Sequence, residues 1–158
     1  MKQDVESHLA YVKKQICIIE TQIKELVKAS LALTKKRDVL TSVTGIGVQT
    51  ACTLLGLMPE LGELTRRQAA SLAGCAPHAR DSGKKNGYRQ VWGGRNSIKT
   101  ALFMASLSAC RSNAQLSVFY KRLVLDGKKK MVALTAVMRK LIVILNAKLR
   151  DSKNILHA

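Results

Sequence analysis

From Val5 to Leu33 an apolar side chain recurs at alternating steps of four and three residues, interrupted once by Ser30. Leu9, Ile16, Ile23 and Ser30 take the a positions of a heptad, and Val5, Val12, Ile19, Leu26 and Leu33 the d positions. Glycine and proline are absent before Gly45, so the pattern predicts one helix of about 35–40 residues, about 55 Å long at 1.5 Å per residue. A stripe of that length on one helix needs another helix to cover it. A coiled-coil arm over residues 1–38 is therefore expected, self-associating or pairing with a longer relative through residues 5–33, with Ser30 weakening the seam near its end. The alternative is an amphipathic helix folded back on its own domain.

Beyond the arm the apolar pattern stays helical, and an all-α fold is expected: a coiled-coil helix, a helical domain over 39–151 and a tail over 152–158. Residues 39–56 hold two short apolar stretches around Thr44-Gly-Ile-Gly47, which suggests a helix–hairpin–helix. Gly45 and Gly47 would form the turn, Ile46 would plug between the helices, and the N–H groups opening the second helix would meet a phosphate. A tight helix–helix turn without a ligand is the alternative reading of the same residues. Thr65 and Gln68 form a capping box for a short helix ended by Gly74. Asn96 is an N-cap candidate for a helix over 97–111, and Asn113 for the next. Asp126-Gly127 marks a turn before a last helix from about Lys128, whose apolar face is Leu134, Val137, Met138, Leu141, Leu145 and Leu149. Cys17, Cys52 and Cys110 sit among apolar residues and are expected as small core residues.

One long segment, residues 72–99, lacks any such period. It carries five of the ten glycines, the only tryptophan, and six Lys or Arg against one Asp. A basic, glycine-rich loop of this length inside a domain suits a phosphate-rich partner. Val91-Trp92 is a candidate for part of a short hairpin within it. The whole chain carries a formal net charge of +17, concentrated after residue 76, and nucleic acid is the usual partner for such an excess. The loop cations Arg80, Lys84, Lys85, Arg89, Arg95 and Lys99, with Gly83, are the candidate contacts.

Cysteines and histidines are scattered without metal-ligand spacing, and no pair of the ten carboxylates falls where a metal cage needs it. No metal site or cofactor is expected in this chain. The remaining route to phosphoryl chemistry is a side-chain nucleophile. Ser82 precedes Gly83, which lets a phosphate approach closely, and Asp81 and His78 are possible proton acceptors. By spacing alone Ser82 is either that nucleophile or an ordinary turn serine. The N-terminus has no apolar signal region, and the run Leu141–Leu145 is far short of a membrane span. A cytosolic or nucleoid location in a bacterium is expected, with no membrane contact.

Five pieces in order, LTSVTGIGVQTA, SLAGCAP, DSGKKNG, GGRNSIKTALFMASLSACR and FYKRLVLDGKKKMVALTAVMRKLIVIL, resemble the C-terminal domain of the Piv-related DEDD insertion-sequence transposases, which include bridge-RNA-guided recombinases. The resemblance runs from about Val39 to Arg150. It implies DNA strand exchange through a serine–phosphate intermediate, with Ser82 matching the nucleophile. It also implies Mg²⁺ held by four acidic residues of an N-terminal RuvC-like domain, which is expected to be missing here, and a coiled coil that joins subunits. DNA is the implied partner, with a guide RNA as a further candidate. Two functional readings follow: a transposase domain contributing Ser82 to a larger assembly, and a truncated, inactive form that only binds nucleic acid and dimerises. A purely structural dimerisation protein is a third.

Overall fold

The computed structural model describes residues 1–78 and 90–156. The chain divides into two compact units, Met1–Lys35 and Lys36–Ala158. Among the described residues there are seven helices and one two-stranded ribbon.

The first unit is dominated by α1 (Lys2–Ala29). The expected single helix stops at Ser30, which adopts an extended conformation at φ −110°, ψ 112°, and α2 (Leu31–Thr41) starts anew. Serine competes with the helical backbone through its own side chain. Here the Ser30 hydroxyl accepts from Leu33 N at 3.4 Å, and the Thr34 hydroxyl donates to the end carbonyl of Val27 at 2.8 Å. The heptad positions Val5, Leu9, Val12, Ile16, Ile19 and Leu26 are all exposed. Cys17 is exposed as well, contrary to the expectation of a core residue: it follows Ile16 and so lies off the a/d seam.

In the second unit α7 (Lys130–Leu156) packs against α4 (Arg66–Leu72), α5 (Asn96–Ser112) and α6 (Ala114–Leu125), while α5 also packs against α3 (Val48–Leu57). Leu134, Val137, Met138, Leu141, Leu145 and Leu149 of α7 are buried, together with Ile98, Leu102, Ala105 and Ala109 of α5. Each fully buried Leu or Ile stabilises by about 1.5–3 kcal/mol relative to exposure, so this face fixes the fold. The capping box at Thr65 forms in full, and the Asn113 side chain accepts from Leu116 N at 3.1 Å. Helix α7 starts two residues later than Lys128, whose N–H donates to Leu123 O, 3.0 Å away. With Gly127 N donating to Val124 O, this closes α6 as a Schellman turn around Gly127, φ +79°.

Asn146, buried in the middle of α7, ties the α3–α4 connection to the core. Its carbonyl accepts from Gly62 N at 2.9 Å and its amide donates to Leu64 O at 2.7 Å. Gly62 lies close enough to Leu149 that a Cβ would sit 3.0 Å from that side chain. Cys52 and Cys110 are half-buried rather than enclosed, and Cys75 is the buried thiol.

Candidate nucleic-acid interface

The chain leaves α4 through a second Schellman turn, with Gly74 N donating to Ser71 O and Cys75 N to Ala70 O. It then forms β1 (Pro77–His78), which pairs antiparallel with β2 (Gln90–Val91) in the register Pro77↔Val91 and His78↔Gln90. After β2, Gly93 and Gly94 turn the chain into α5 with φ of +75° and +78°. Their backbones cross that of Gly74 at van der Waals range, where a Cβ on Gly94 would meet Gly74 N at 2.2 Å. Arg95 N donates to Leu72 O at 2.9 Å beside the crossing. Only glycine fits such an approach. The result is a closed neck that brings His78 and Gln90 together as the roots of residues 79–89.

Most of the expected site falls between those roots. Arg80, Asp81, Ser82, Gly83, Lys84, Lys85 and Arg89 lie outside the described residues. The described remainder separates into three places. Lys99, on the first turn of α5, lines a shallow cleft with Val91, Asn96, Thr100, Met131 and Met138. This is continuous with a second depression between the ribbon and the start of α7, lined by Cys75, Pro77, Val91, Lys128, Lys129, Thr135 and Arg139. Burial pushes the Cys75 thiol up to about 11, against the opposing pull of Lys99 and Arg139. No described carboxylate is within ion-pair distance of Lys99, Lys128, Lys129 or Arg139.

Arg95 is differently employed. Its guanidinium donates to Leu57 O at 2.6 Å and pairs with Glu60 at 2.7 Å, closing the C-terminal end of α3. The hydrogen bond from Arg95 holds the Glu60 carboxyl below its ordinary value. This task explains why Asn96 is not the N-cap of α5: Arg95 occupies that position, without a side-chain cap, and Asn96 is the first helical residue.

Gly45 and Gly47 also part company. Gly45, at φ +101°, packs so closely on α5 that a Cβ would sit 2.6 Å from Ala109 Cα, and Ile46 is buried beside it. Gly47 is the N-cap of α3, has open space around it and supplies no side-chain cap.

No group of three or more His, Cys, Asp or Glu side chains able to hold a metal ion occurs among the described residues. The Mg²⁺ implied by the resemblance therefore finds no ligand set there, and no step below is routed through it. The local sequence carries no sign that Lys128, Lys129 and Arg139 line a depression adjoining that of Lys99.

These features define a mostly helical, basic domain with a glycine neck beside a cation-lined cleft. The chain belongs to the transposase IS116/IS110/IS902 family, whose model matches residues 37–121. Over 147 residues it is 33% identical to an uncharacterized 43.6 kDa protein of insertion element IS110 from Streptomyces coelicolor, covering 92% of this chain and 35% of that protein. It is 27% identical over 157 residues to the pilin gene-inverting proteins of Moraxella lacunata and Moraxella bovis, covering 97% of this chain and 49% of each of those. The chain thus spans between a third and a half of the length of these curated relatives.

Proposed function

We propose that residues 39–151 form the DNA-binding C-terminal domain of an insertion-sequence transposase, acting in transposition or recombination with Ser82 as nucleophile. The observation that carries this reading is the closed neck. It brings His78 and Gln90 together at the roots of the segment containing Ser82, beside a cleft lined by Lys99, Lys128, Lys129 and Arg139. Membership of a transposase family supports DNA as the substrate and a bacterial cytosolic or nucleoid setting. No helix among the described residues is long and apolar enough to cross a membrane, in keeping with that setting.

In the proposed reaction the Ser82 hydroxyl oxygen bonds to phosphorus as the bond to the leaving sugar oxygen breaks. The hydroxyl proton passes to a base, for which Asp81 and His78 are the candidates, and the leaving oxygen is protonated. A second sugar hydroxyl then reverses the step on a new strand. Arg80, Lys84, Lys85 and Arg89, with Gly83 allowing close approach, would hold the phosphate and its developing charge. The Gly45–Gly47 turn acts as a helix–hairpin–helix whose open Gly47 end offers the first N–H groups of α3 to a further phosphate. Metal ligation belongs to a RuvC-like partner domain.

The test supplies that domain in trans with Mg²⁺ and insertion-element end DNA. A covalent protein–DNA adduct that disappears in Ser82→Ala is expected. An adduct that persists in Ser82→Ala removes the nucleophile assignment. The alternative reading, a binding and dimerisation module without chemistry, predicts no adduct even with Ser82 in place.

Residues 5–33 would join two copies, or one copy to a full-length transposase, because six seam residues of α1 stand exposed. Sedimentation of Ile16→Asp should show a smaller species than the unaltered chain. A strictly monomeric unaltered chain at high concentration would contradict self-pairing. Guide RNA is a further proposed partner of the same cations; competition between RNA and DNA for the protein checks it, and RNA that leaves DNA binding unchanged argues against it.

A further inference from the structure

The sequence holds a single tryptophan, and the fold leaves Trp92 67% exposed. An indole is among the largest apolar groups a core of this size could enclose, and its ring is equally suited to stacking on another flat system. Its position follows from the ribbon. Trp92 directly follows Val91 of β2, and Pro77, Gln90 and Val91 of the ribbon all line the cleft. The rings of His78 and Trp92 meet nearly edge to face, with centroids 5.5 Å apart and planes at 72°. That contact steadies the indole without covering it. Gly93 follows at once, with no described atom within 4 Å of where its Cβ would stand.

The surroundings select the ligand. Lys128, Lys129 and Arg139 line the depression bordered by Gln90 and Val91, and Lys99 lines the adjoining one, which shares Val91 and Met131 with it. A flat apolar ring one residue from the cation-lined cleft matches an unpaired base followed by its phosphates. A duplex hides its base faces within the stack, and every free base has a face to offer whatever its identity. We propose that Trp92, steadied by His78, is a stacking platform for an unpaired base of a single nucleic-acid strand, with Lys99 and Arg139 holding the adjoining phosphates. The proposal rests on the nucleic-acid reading above and adds to it the strandedness of the ligand and the residue that senses it.

Because no other tryptophan contributes, intrinsic fluorescence of the whole protein reports this site alone. Short single-stranded DNA, the same sequence as RNA, and the DNA duplex are each titrated at low salt, with binding followed independently by anisotropy of a labelled strand. Saturable quenching by the single strands is expected. Trp92→Ala should weaken single-strand binding about 5- to 150-fold, with Trp92→Phe retaining most of the affinity and duplex binding little changed. His78→Ala keeps the reporter and should shift the quenching midpoint to higher strand concentration. The stronger of the DNA and RNA arms identifies the source of the strand. Single strands that bind by anisotropy without quenching, or that bind Trp92→Ala as tightly as the unaltered protein, overturn the platform and leave the nucleic-acid reading standing. Failure of every form to bind overturns both. Circular dichroism and a urea midpoint like those of the unaltered protein exclude misfolding as the cause of weakened binding.

Discussion

Replacing Gly94 by alanine should damage this domain far more than the same change one residue earlier. At Gly94 a Cβ would sit 2.2 Å from Gly74 N, 2.4 Å from Gly74 Cα and 2.8 Å from Leu72 O, at φ +78°. Comfortable separations between such atoms are about 3.5 Å, so the two backbones must part by about 1 Å. That movement lengthens the 2.9 Å bond from Arg95 N to Leu72 O beyond useful range. Left-handed strain for an L-residue costs roughly 1–2 kcal/mol, overpacking about 1–3, and the lost hydrogen bond about 0.5–1.5. The expected loss is roughly 2.5–6.5 kcal/mol, a large part of the ~5–15 kcal/mol available to a domain. At Gly93 the φ is +75° but nothing lies within 4 Å, so Gly93→Ala should cost only the ~1–2 kcal/mol of strain. Urea unfolding followed by far-ultraviolet circular dichroism and by Trp92 fluorescence measures both. Equal midpoints for the two variants would refute the close crossing as the reason for glycine at 94.

Asn146→Ala leaves the Gly62 N–H and Leu64 C=O without their partner and should cost about 2–6 kcal/mol by the same urea assay, at about 1–3 kcal/mol per unsatisfied group. A loss below about 0.5 kcal/mol would show that water or another side chain takes its place. Cys17 should be alkylated rapidly at pH 8 while Cys75, buried and with its thiol raised to about 11, reacts only on unfolding; mass spectrometry of tryptic peptides checks the order. Glu60 is held below the ordinary value of 4.5 by Arg95, so its contribution is present above that pH and fades as the pH falls through the lowered value. Arg95→Gln should therefore flatten the decline of stability between about pH 5 and 3, and an unchanged slope would contradict the linkage.

What could be read in the sequence was local or periodic. Thr65 with Gln68, and Asn113 with Leu116, cap their helices through groups three residues apart, so the code and the contact coincide. The face of α7 was legible because its buried residues keep one helical period from Leu134 to Leu149. The heptad of α1 was equally plain, yet the break at Ser30 was expected only as a weak point. It depends on two side-chain bonds, from Ser30 and Thr34, that periodicity does not weigh. Asn96 carried a good capping signature and lost the position to Arg95, whose side chain is drawn to Leu57 O and Glu60 across 38 and 35 positions of chain. Cys17 was misjudged because apolar neighbours in sequence are not neighbours around a helix. The glycine crossing and the Asn146 clamp are long-range contacts with no local mark, and nothing local marks Lys99 and Arg139 as lining adjoining depressions. The loop cations drew attention by composition alone.

The claim on which the rest depends is that this basic domain engages nucleic acid through its phosphates. Its most direct test is the affinity of the whole protein for labelled DNA as salt rises from 50 to 200 mM. Contact with about six to ten phosphates predicts a fall of about 10³–10⁵ in affinity, with a linear dependence on log salt and a shallower slope in Lys99→Ala and Arg139→Ala. Weak binding that does not change with salt would contradict the account and leave +17 charges without a partner.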